Sequence, residues 1–308
     1  MSVDVLTVGE TMTAVRCDGL LRLGGRASLS IAGAESNLAI AMARLGHRVA
    51  WSGRVGADES GELVRRTLAA EGVDASTVVR DPDAPTGLLV FEQRLPDLTR
   101  VEYHRRHSAG SRWCRDDVQA ALDLRPRVVH VTGVTAALSE SAREALTTLV
   151  DESRARGALV SFDVNFRSRL WSAADAAPVL ASLARRADVV IASPDELDLV
   201  ADEPGSLLQA GVREVVIKRG ADGATVLTSD GEVSAPARRV RVVDSIGAGD
   251  AFGAGYLSAL VDGGDVTERL RRGVVLGAFA VASSGDWEGL PTREELALID
   301  VEEGQAIR

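Results

Sequence analysis

Short apolar runs rich in β-branched residues alternate along the chain with longer segments of helical periodicity. The runs lie at residues 3–9, 48–54, 128–132, 158–164, 189–192 and 214–218. Helical segments separate them, such as residues 37–45, which Gly46 ends, and residues 139–156, which Gly157 ends. Strands of a parallel sheet form continuous apolar runs because helices cover both faces of the sheet. The alternation therefore predicts an α/β fold with a mostly parallel, doubly covered central sheet.

Two regions interrupt this alternation, at about residues 12–31 and 86–106. Both show polar alternation and turns, and neither is followed by a helix of its own. They predict a small antiparallel sheet that stands off the main one as a lid over its carboxyl edge. Residues 223–233 predict a further hairpin, with Ser229, Asp230 and Gly231 in its turn. We find no internal repeat or long linker, so we expect one domain over residues 1–308.

Charge and composition narrow the classes of function. The 308 residues carry 35 Lys and Arg against 45 Asp and Glu, a net charge of −10. Nucleic-acid binding needs clustered cations, and a membrane span needs a longer apolar run than residues 274–282, so we expect neither partner. Cys17 and Cys114 lie far apart with no metal-binding spacing, and the chain opens without a cationic signal region. These features favour a cytoplasmic location.

The chain has a single lysine, Lys218, and its position excludes a Walker A loop. That loop requires a lysine between glycine and Ser or Thr, whereas Lys218 lies between Ile217 and Arg219. A Schiff-base enzyme would have to use this same lysine. If phosphate is bound, groups other than such a lysine loop must bind it.

The most informative stretch is residues 240–256. It predicts a strand that ends at Asp244, a loop of small residues, and a helix that begins near Gly249. Free backbone N–H groups at a helix N-terminus can bind an anion and stabilise charge on a transferring phosphoryl group, and Asp250 could accept a proton there. The alternative is an ordinary glycine-rich turn in which Asp250 complements the helix dipole. A dinucleotide fingerprint fits poorly because its third glycine comes one position late.

Residues 244–252 resemble the C-terminal signature of the ribokinase-like (PfkB) sugar kinases, and residues 33–39 with Leu45 and Gly46 resemble their N-terminal signature. The resemblance covers essentially the whole chain. It implies a Rossmann-like domain with a β-sheet lid, ATP as phosphoryl donor with Mg²⁺, and Asp250 as the base. It also implies an anion hole formed by the amides of Gly247, Ala248 and Gly249. It leaves open a monovalent-cation requirement and a homo-oligomer paired through the lids.

Within that family, residues 33–37, 101–109 and 162–171 resemble kinases of 2-keto-3-deoxygluconate (2-dehydro-3-deoxy-D-gluconate). The resemblance implies ATP-dependent phosphorylation of its terminal hydroxyl to the 6-phosphate. A sugar acid carries a carboxylate, which arginine binds with two parallel charge-assisted hydrogen bonds. Arg105 on the lid and Arg167 after a strand could converge on that group. The alternative for Arg167 is a surface ion pair.

The resemblance also implies contacts for the ligands. For the substrate these are Gly33, Ala34, Glu35, Ser36, Asn37, Phe91, Tyr103, Arg105, Arg167, Asp250 and Asp286. For ATP they are Asn165, Arg167, Lys218, Gly220, Asp222, Gly223, Gly247, Ala248 and Gly249, and Glu196 acts indirectly on the metal. The residues also allow plainer interpretations: Asn37 could cap a helix, and residues 221–223 could form a simple tight turn.

The sequence departs from the family pattern at three positions. Ser193 stands in place of an asparagine that precedes Glu196, Ser245 in place of a threonine, and Phe91 where tyrosine is common. The phenylalanine removes one hydrogen bond to the substrate. The alternatives are a kinase of a neutral sugar such as fructose or ribose, a non-catalytic sugar or nucleotide sensor and, third, a dinucleotide oxidoreductase.

Overall fold

The computed structural model describes residues 2–95 and 98–300. Its strands are β1 (Val5–Val8), β2 (Met12–Cys17), β3 (Ala27–Ala32), β4 (Val49–Ser52), β5 (Arg54–Gly56), β6 (Val79–Asp81), β7 (Leu88–Leu95), β8 (Leu98–His104), β9 (Val128–Thr132), β10 (Leu159–Asp163), β11 (Val189–Ala192), β12 (Glu214–Lys218), β13 (Ala224–Thr228) and β14 (Gly231–Ala235). Its α-helices are α1 (Ala34–Arg44), α2 (Glu59–Ala70), α3 (Arg115–Leu122), α4 (Gly133–Leu138), α5 (Glu140–Ala155), α6 (Ala173–Ala184), α7 (Pro194–Leu197), α8 (Pro204–Gln209), α9 (Ala248–Val261) and α10 (Val266–Val281).

Eight strands form the main sheet in the order β14-β13-β12-β11-β10-β9-β1-β4. The six strands from β4 to β12 run parallel, and β13 and β14 add an antiparallel hairpin at one edge. Each of the six apolar runs contributes one parallel strand, so the predicted fold class is confirmed. The late hairpin is confirmed as well.

Helices cover both faces of the main sheet, which explains why its strands are apolar throughout. Every residue of β1, β4, β9 and β11 is buried. One apolar cluster joins the sheet to α5 and α6 and includes Leu146 and Leu180, and the other joins it to α1 and α9 and includes Leu38 and Tyr256. Strands buried on both faces position their carboxyl ends rigidly.

Four strands form a second sheet in the order β3-β2-β7-β8, which we call the lid sheet. Both segments that interrupt the βα pattern contribute strands to it, as two antiparallel hairpins. The expectation of a purely antiparallel sheet is wrong, because β2 and β7 pair in parallel. The first strands of the two hairpins, β2 and β7, lie side by side and run in the same direction. Residues 96–97 of the predicted lid, and residues 1 and 301–308 of the predicted domain, lie outside the described residues.

The strand predicted to end at Asp244 is absent, since residues 236–244 form no described strand. Val242 and Val243 are 69% and 55% exposed, although the prediction needed them to pack. The N–H of Val243 donates to the carbonyl of Val281 at 2.7 Å, at the end of α10. The segment is thus extended without a partner strand, and its valines imitate a strand pattern.

The most apolar stretch of the sequence, residues 274–282, belongs mainly to α10. This helix packs against α9 and carries the charged residues Glu268 and Arg269 in its first turns. Within residues 2–95 and 98–300, no helix is both long enough and apolar enough to cross a membrane.

Two leucine truncations test the assignment of the core. Leu146 on α5 is fully buried, whereas Leu23 is 78% exposed. We expect Leu146→Ala to lower the free energy of unfolding by about 2–5 kcal/mol, and Leu23→Ala by no more than about 0.5 kcal/mol. Denaturant unfolding followed by circular dichroism measures both changes. Equal losses in the two variants would contradict the packing described.

Candidate active site

Charged and polar side chains gather at the carboxyl edge of the main sheet. Glu10 follows β1, Thr132 ends β9, Asp163 ends β10 and Lys218 ends β12. Ligands of open α/β sheets bind at this edge because the loops and helix N-termini converge there. The N-terminus of α9 lies at the same place, beside Lys218.

The loop before α9 presents backbone N–H groups to this edge. Gly247 caps the helix in a left-handed conformation with φ 76°. A Cβ atom at Gly247 would overlap the backbone of Asp286, so both the conformation and the space require glycine. The first N–H groups of a helix have no intrahelical acceptor, and the dipole makes that end positive. This geometry suits an anion.

Asp250 lies in the first turn of α9, partly buried. Its Oδ2 accepts a hydrogen bond of 2.9 Å from Nδ2 of Asn37. Burial raises the pKa of Asp250 to about 7; the Asn37 bond opposes this, the charge of Asp163 adds to it, and the charges of Arg167 and Lys218 oppose it. A carboxylate with a pKa near neutrality is suited to accept a proton from a hydroxyl.

Asn37 is an interior residue of α1 and does not cap it. The helix begins at Ala34 with Gly33 as its N-cap, so the capping interpretation of Asn37 is wrong. Its side chain is 2% exposed, and its Oδ1 has no hydrogen-bond partner within the described structure. A buried amide oxygen without a partner is costly unless a ligand or water satisfies it. Asn37 is therefore placed to contact both Asp250 and a substrate.

Two other residues of the same signature are directed elsewhere. Glu35 and Ser36 are fully buried, and the Ser36 hydroxyl donates to the carbonyl of Gly33 at 3.0 Å. Oε1 of Glu35 accepts hydrogen bonds of 2.7 and 2.6 Å from Thr132 and Thr135. Burial raises the pKa of Glu35, against the effect of these two bonds. Glu35 thus anchors α1 to β9 and α4; the substrate contacts expected of Glu35 and Ser36 stay a prediction, and Gly33, Ala34 and Asn37 are the stronger candidates.

Gly33 has a structural reason to be glycine. A Cβ atom there would overlap the carbonyl oxygen of Glu10. The close approach joins the start of α1 to the connection between β1 and the lid sheet.

Lys218 at the end of β12 forms an ion pair with Asp163 at the end of β10, across the intervening strand β11, with Nζ–Oδ distances of 2.8 and 3.0 Å. Burial lowers the pKa of Lys218, but Asp163, Glu196 and Asp250 outweigh it, so the pKa is raised and the ammonium stays charged. A Cβ at Gly249 would lie 3.4 Å from this Nζ, which places the ammonium beside the N-terminus of α9. Positive charge and free amides therefore share one position.

Asn165 lies next to this ion pair in a left-handed conformation with φ 39°. It is 3% exposed, and its Oδ1 has no hydrogen-bond partner among residues 2–95 and 98–300. Arg167, two positions after Asn165, is exposed. In the described structure its side chain donates only to the carbonyl of Phe166, at 3.2 Å. The surface ion pair offered as an alternative for Arg167 is absent there.

The turn at residues 220–223 borders the same edge. Gly220 and Asp222 are exposed, while Gly223 is buried with φ 90°. A Cβ at Gly223 would overlap the carbonyl oxygen of Ala235, so a tight turn accounts for this glycine. The exposed pair stays available to a ligand.

Three of the expected substrate residues lie in the lid sheet or directly after its last strand. Phe91 is buried, Tyr103 is 43% exposed, and the Arg105 guanidinium lies 5.9 Å from the Tyr103 ring. Nε of Arg105 donates to the buried Glu10 at 2.7 Å, and its Nη2 pairs with the same carboxylate. Arg105 therefore has a partner inside the protein already.

Asp286 is 7% exposed and forms an ion pair with Arg16 of β2. Burial raises the pKa of Asp286 to about 6, although the charge of Arg16 opposes the shift. The ion pair with Arg16 thus connects the carboxyl of Asp286 to the lid sheet.

Both carboxylate oxygens of Glu196 accept hydrogen bonds from backbone N–H groups. It accepts from the N–H of Phe166 at 3.0 Å and from the N–H of Ser193 at 2.8 Å, and Ser193 caps α7 in return. No group of three or more His, Cys, Asp or Glu in the described part of the chain could hold a metal. Mg²⁺ in nucleotide sites often takes one or two carboxylates together with phosphate oxygens. The site fits an ion that arrives with a nucleotide.

Three residues of this site were not identified from the sequence as functional. Asp163 had a signal, because it is the last residue but one of a predicted strand and lies two positions before Asn165. Glu10 had a weaker one, as a charged residue directly after the first strand and Gly9. Arg16 had none, since its partners Asp244 and Asp286 are more than 200 positions away.

Comparisons with known proteins give matches over nearly the whole chain. The family model of pfkB family carbohydrate kinases matches residues 3–293. A 2-dehydro-3-deoxygluconokinase from Bacillus subtilis (strain 168) is 37% identical over 96% of this chain and 95% of its own. Another from Thermoproteus tenax is 35% identical over 95% and 93%. A solved PfkB protein from Polaromonas sp. JS666 has a TM-score of 0.86 and 38% identity, covering 96% of this chain and 99% of that one.

The electrostatics of Asp250 can be measured directly. We expect its carboxyl to titrate near pH 7, because burial disfavours the charged form. Asn37→Ala removes a hydrogen bond that favours the carboxylate, so the midpoint should move to higher pH. Carbon-13 NMR of labelled aspartates, with Asp250→Asn to assign the signal, gives both values. A midpoint near 4, or no shift in Asn37→Ala, would contradict this account.

Proposed function

Because the chain belongs to the pfkB family of carbohydrate kinases, we propose that it phosphorylates 2-keto-3-deoxygluconate at the 6-hydroxyl, with ATP as donor. The observation that supports this most is the position of Asp250. A carboxyl with a pKa of about 7 lies in the first helical turn, beside free amides and the charged Lys218. The activity named for the Bacillus subtilis and Thermoproteus tenax relatives agrees with the proposal.

The reaction needs no covalent intermediate. ATP supplies the phosphoryl group, and Mg²⁺ would neutralise its developing charge. Asp250 accepts the proton of the sugar hydroxyl, and the amides of Gly247, Ala248 and Gly249 stabilise negative charge on the transferring group. Holding both reactants at the strand ends makes the step effectively unimolecular. Positioning and electrostatics thus account for the rate.

On the nucleotide side we assign Lys218, Asn165, Arg167, and the exposed Gly220 and Asp222. The unsatisfied Oδ1 of Asn165 can accept a hydrogen bond from a ligand or water, and Lys218 is a fixed positive charge. Gly223 shapes the turn. Glu196 would act on Mg²⁺ only indirectly, since backbone amides occupy its oxygens.

On the sugar side we assign Gly33, Ala34 and Asn37 at one wall and the lid sheet at the other. Phe91 and Tyr103 would cover the sugar, and Arg167 would bind its carboxylate with the help of Arg105. Arg167 is the better candidate for the main contact because no carboxylate pairs with it within residues 2–95 and 98–300. Asp286 would act through Arg16.

One observation favours a neutral sugar such as fructose or ribose as the second candidate. Glu10 already neutralises Arg105, so the lid contributes less positive charge to the sugar than the sequence suggests. The exposed Arg167 is therefore the residue that favours an acid sugar over a neutral sugar as substrate.

A substrate panel tests the proposal. The purified chain is assayed for ADP release with Mg²⁺ and K⁺ against gluconate-derived and galactonate-derived 2-keto-3-deoxy acids, fructose and ribose. We expect one of the sugar acids to have the highest kcat/KM. Preference for a neutral sugar would contradict the substrate, and binding without ADP release would favour a sensor.

Arg167→Ala is the matched variant for this panel. It should lower kcat/KM for the acid by roughly 10- to 100-fold, the range for a lost charge-assisted contact. Loss of its contact with ATP would lower kcat/KM for every sugar alike, so kcat/KM for a neutral sugar should fall far less than kcat/KM for the acid.

Asp250→Asn tests the base. We expect kcat to fall by orders of magnitude while ATP and sugar still bind, because asparagine cannot accept the proton. Since burial raises the pKa of Asp250, its charged form destabilises the fold above that pKa, so the variant should be at least as stable at pH 8. Steady-state kinetics, calorimetric binding and thermal unfolding provide the three measurements. Near-normal turnover would refute the role of Asp250.

A further inference from the structure

Arg16 connects the lid sheet to two carboxylates of the main domain. It lies on β2 with its guanidinium 4.1 Å above the ring of Phe91. Its Nη2 pairs with Asp286, and its Nη1 lies 3.6 Å from Oδ2 of Asp244. The side chain is 21% exposed, so solvent only partly screens these contacts. One cation of the lid thus joins two acidic residues that are 42 positions apart in the sequence.

Both carboxylates belong to segments that shape the anion-hole loop, residues 245–249. The Oδ1 of Asp244 accepts the N–H of Ile246 at 3.1 Å and so fixes the start of the loop. The backbone of Asp286 packs so closely on Gly247 that a Cβ there would overlap it. Asp244 and Asp286 therefore hold the loop from its two sides.

The lid sheet also contacts this loop through apolar side chains. Ile246 packs against an apolar cluster of the lid sheet that includes Met12, Ala14 and Phe91. Met12, Ala14 and Arg16 occupy every second position of β2, so their side chains lie on the same face of the sheet. The ion pairs and the apolar contact form one continuous connection between lid and loop.

Charge gives Arg16 a second effect. Asp244 and Asp286 would repel a phosphoryl group at the nearby N-terminus of α9, as like charges do. The guanidinium offsets both carboxylates while Nη1 and Nη2 remain engaged. Without Arg16, the loop would keep only its apolar contact with the lid, and two negative charges would lie uncompensated beside the anion hole.

We propose that Arg16 is a positioning residue that couples the lid sheet to the anion-hole loop, so that the loop is set for phosphoryl transfer when the lid lies over the sugar. The inference depends on the proposed kinase activity but not on which sugar is used. Arg16 contacts neither the hydroxyl nor the base in this scheme. It acts through Asp244 and Asp286.

The test compares Arg16→Gln and Arg16→Lys with Arg100→Gln as a matched control. Arg100 is an exposed lid arginine whose ion-pair partner, Glu102, lies on the same strand, β8. Each variant is assayed with the best sugar of the panel for kcat, KM for ATP, and the ratio of ADP released to sugar phosphate formed. That ratio does not depend on how much of the enzyme is folded, so a merely structural role would leave it at one.

We expect Arg16→Gln to lower kcat by about 100-fold, the effect of a displacement of about 1 Å at a catalytic group. The ratio should rise above one, because a lid detached from the loop admits water to the phosphoryl group. Arg16→Lys, which keeps one charge but not the two-sided contact, should be intermediate in both. Arg100→Gln should match the wild type.

Asp286→Asn tests the same connection from the other side. Combined with Arg16→Gln, it should add little to the loss, since both changes break one ion pair. Wild-type kcat and a ratio of one in Arg16→Gln would overturn the inference, and so would full additivity with Asp286→Asn. If Arg16→Gln does not fold, Arg16→Lys decides by the same two readouts. Failure of the wild type to phosphorylate any sugar would instead count against the proposed function.

Discussion

The site depends on one constraint: the carboxyl of Asp250 is partly withdrawn from water at the positive end of a helix. Burial alone would hold it protonated, and the bond from Asn37 with the charges of Arg167 and Lys218 brings its pKa back to about 7. Each of these groups sits on a different element, so the value depends on the whole carboxyl edge of the sheet. The buried parallel strands supply that precision, because their ends cannot shift independently.

The sequence predicted what local patterns can carry. Continuous apolar runs identified all six parallel strands, and the glycine-rich loop located the N-terminus of α9. The same reasoning was wrong where a strand-like pattern had no partner strand, and where pairing depended on segments distant in sequence. Val242 and Val243 have strand propensity but no neighbouring strand, and the parallel pairing of β2 with β7 depends on how two distant hairpins meet. Local periodicity contains no information about either.

Site residues divide in the same way. Asp250 and Asn37 are predicted for the site because each lies in a stretch with its own signature, and the structure joins their side chains by a hydrogen bond of 2.9 Å. Glu35 lies in the same stretch, yet its side chain points into the core towards Thr132 and Thr135, and no spacing distinguishes it from its neighbours. The direction of a side chain depends on helix phase against the sheet, which only the folded structure fixes. A signature therefore predicts the location of a site better than the role of each residue in it.

The single lysine shows how these levels combine. Its position excludes a lysine loop for phosphate, which makes a nucleotide site at first unexpected. In the fold, Lys218 lies beside Gly249, paired with Asp163. In the proposed reaction, the helix amides and this one ammonium would together replace the missing loop. Asp163 prevents the lysine from losing its proton on burial, and its charge also helps to raise the pKa of Asp250. The ion pair between β10 and β12 therefore serves both halves of the proposed reaction: it provides a lasting positive charge on the phosphate side and a stronger base on the sugar side.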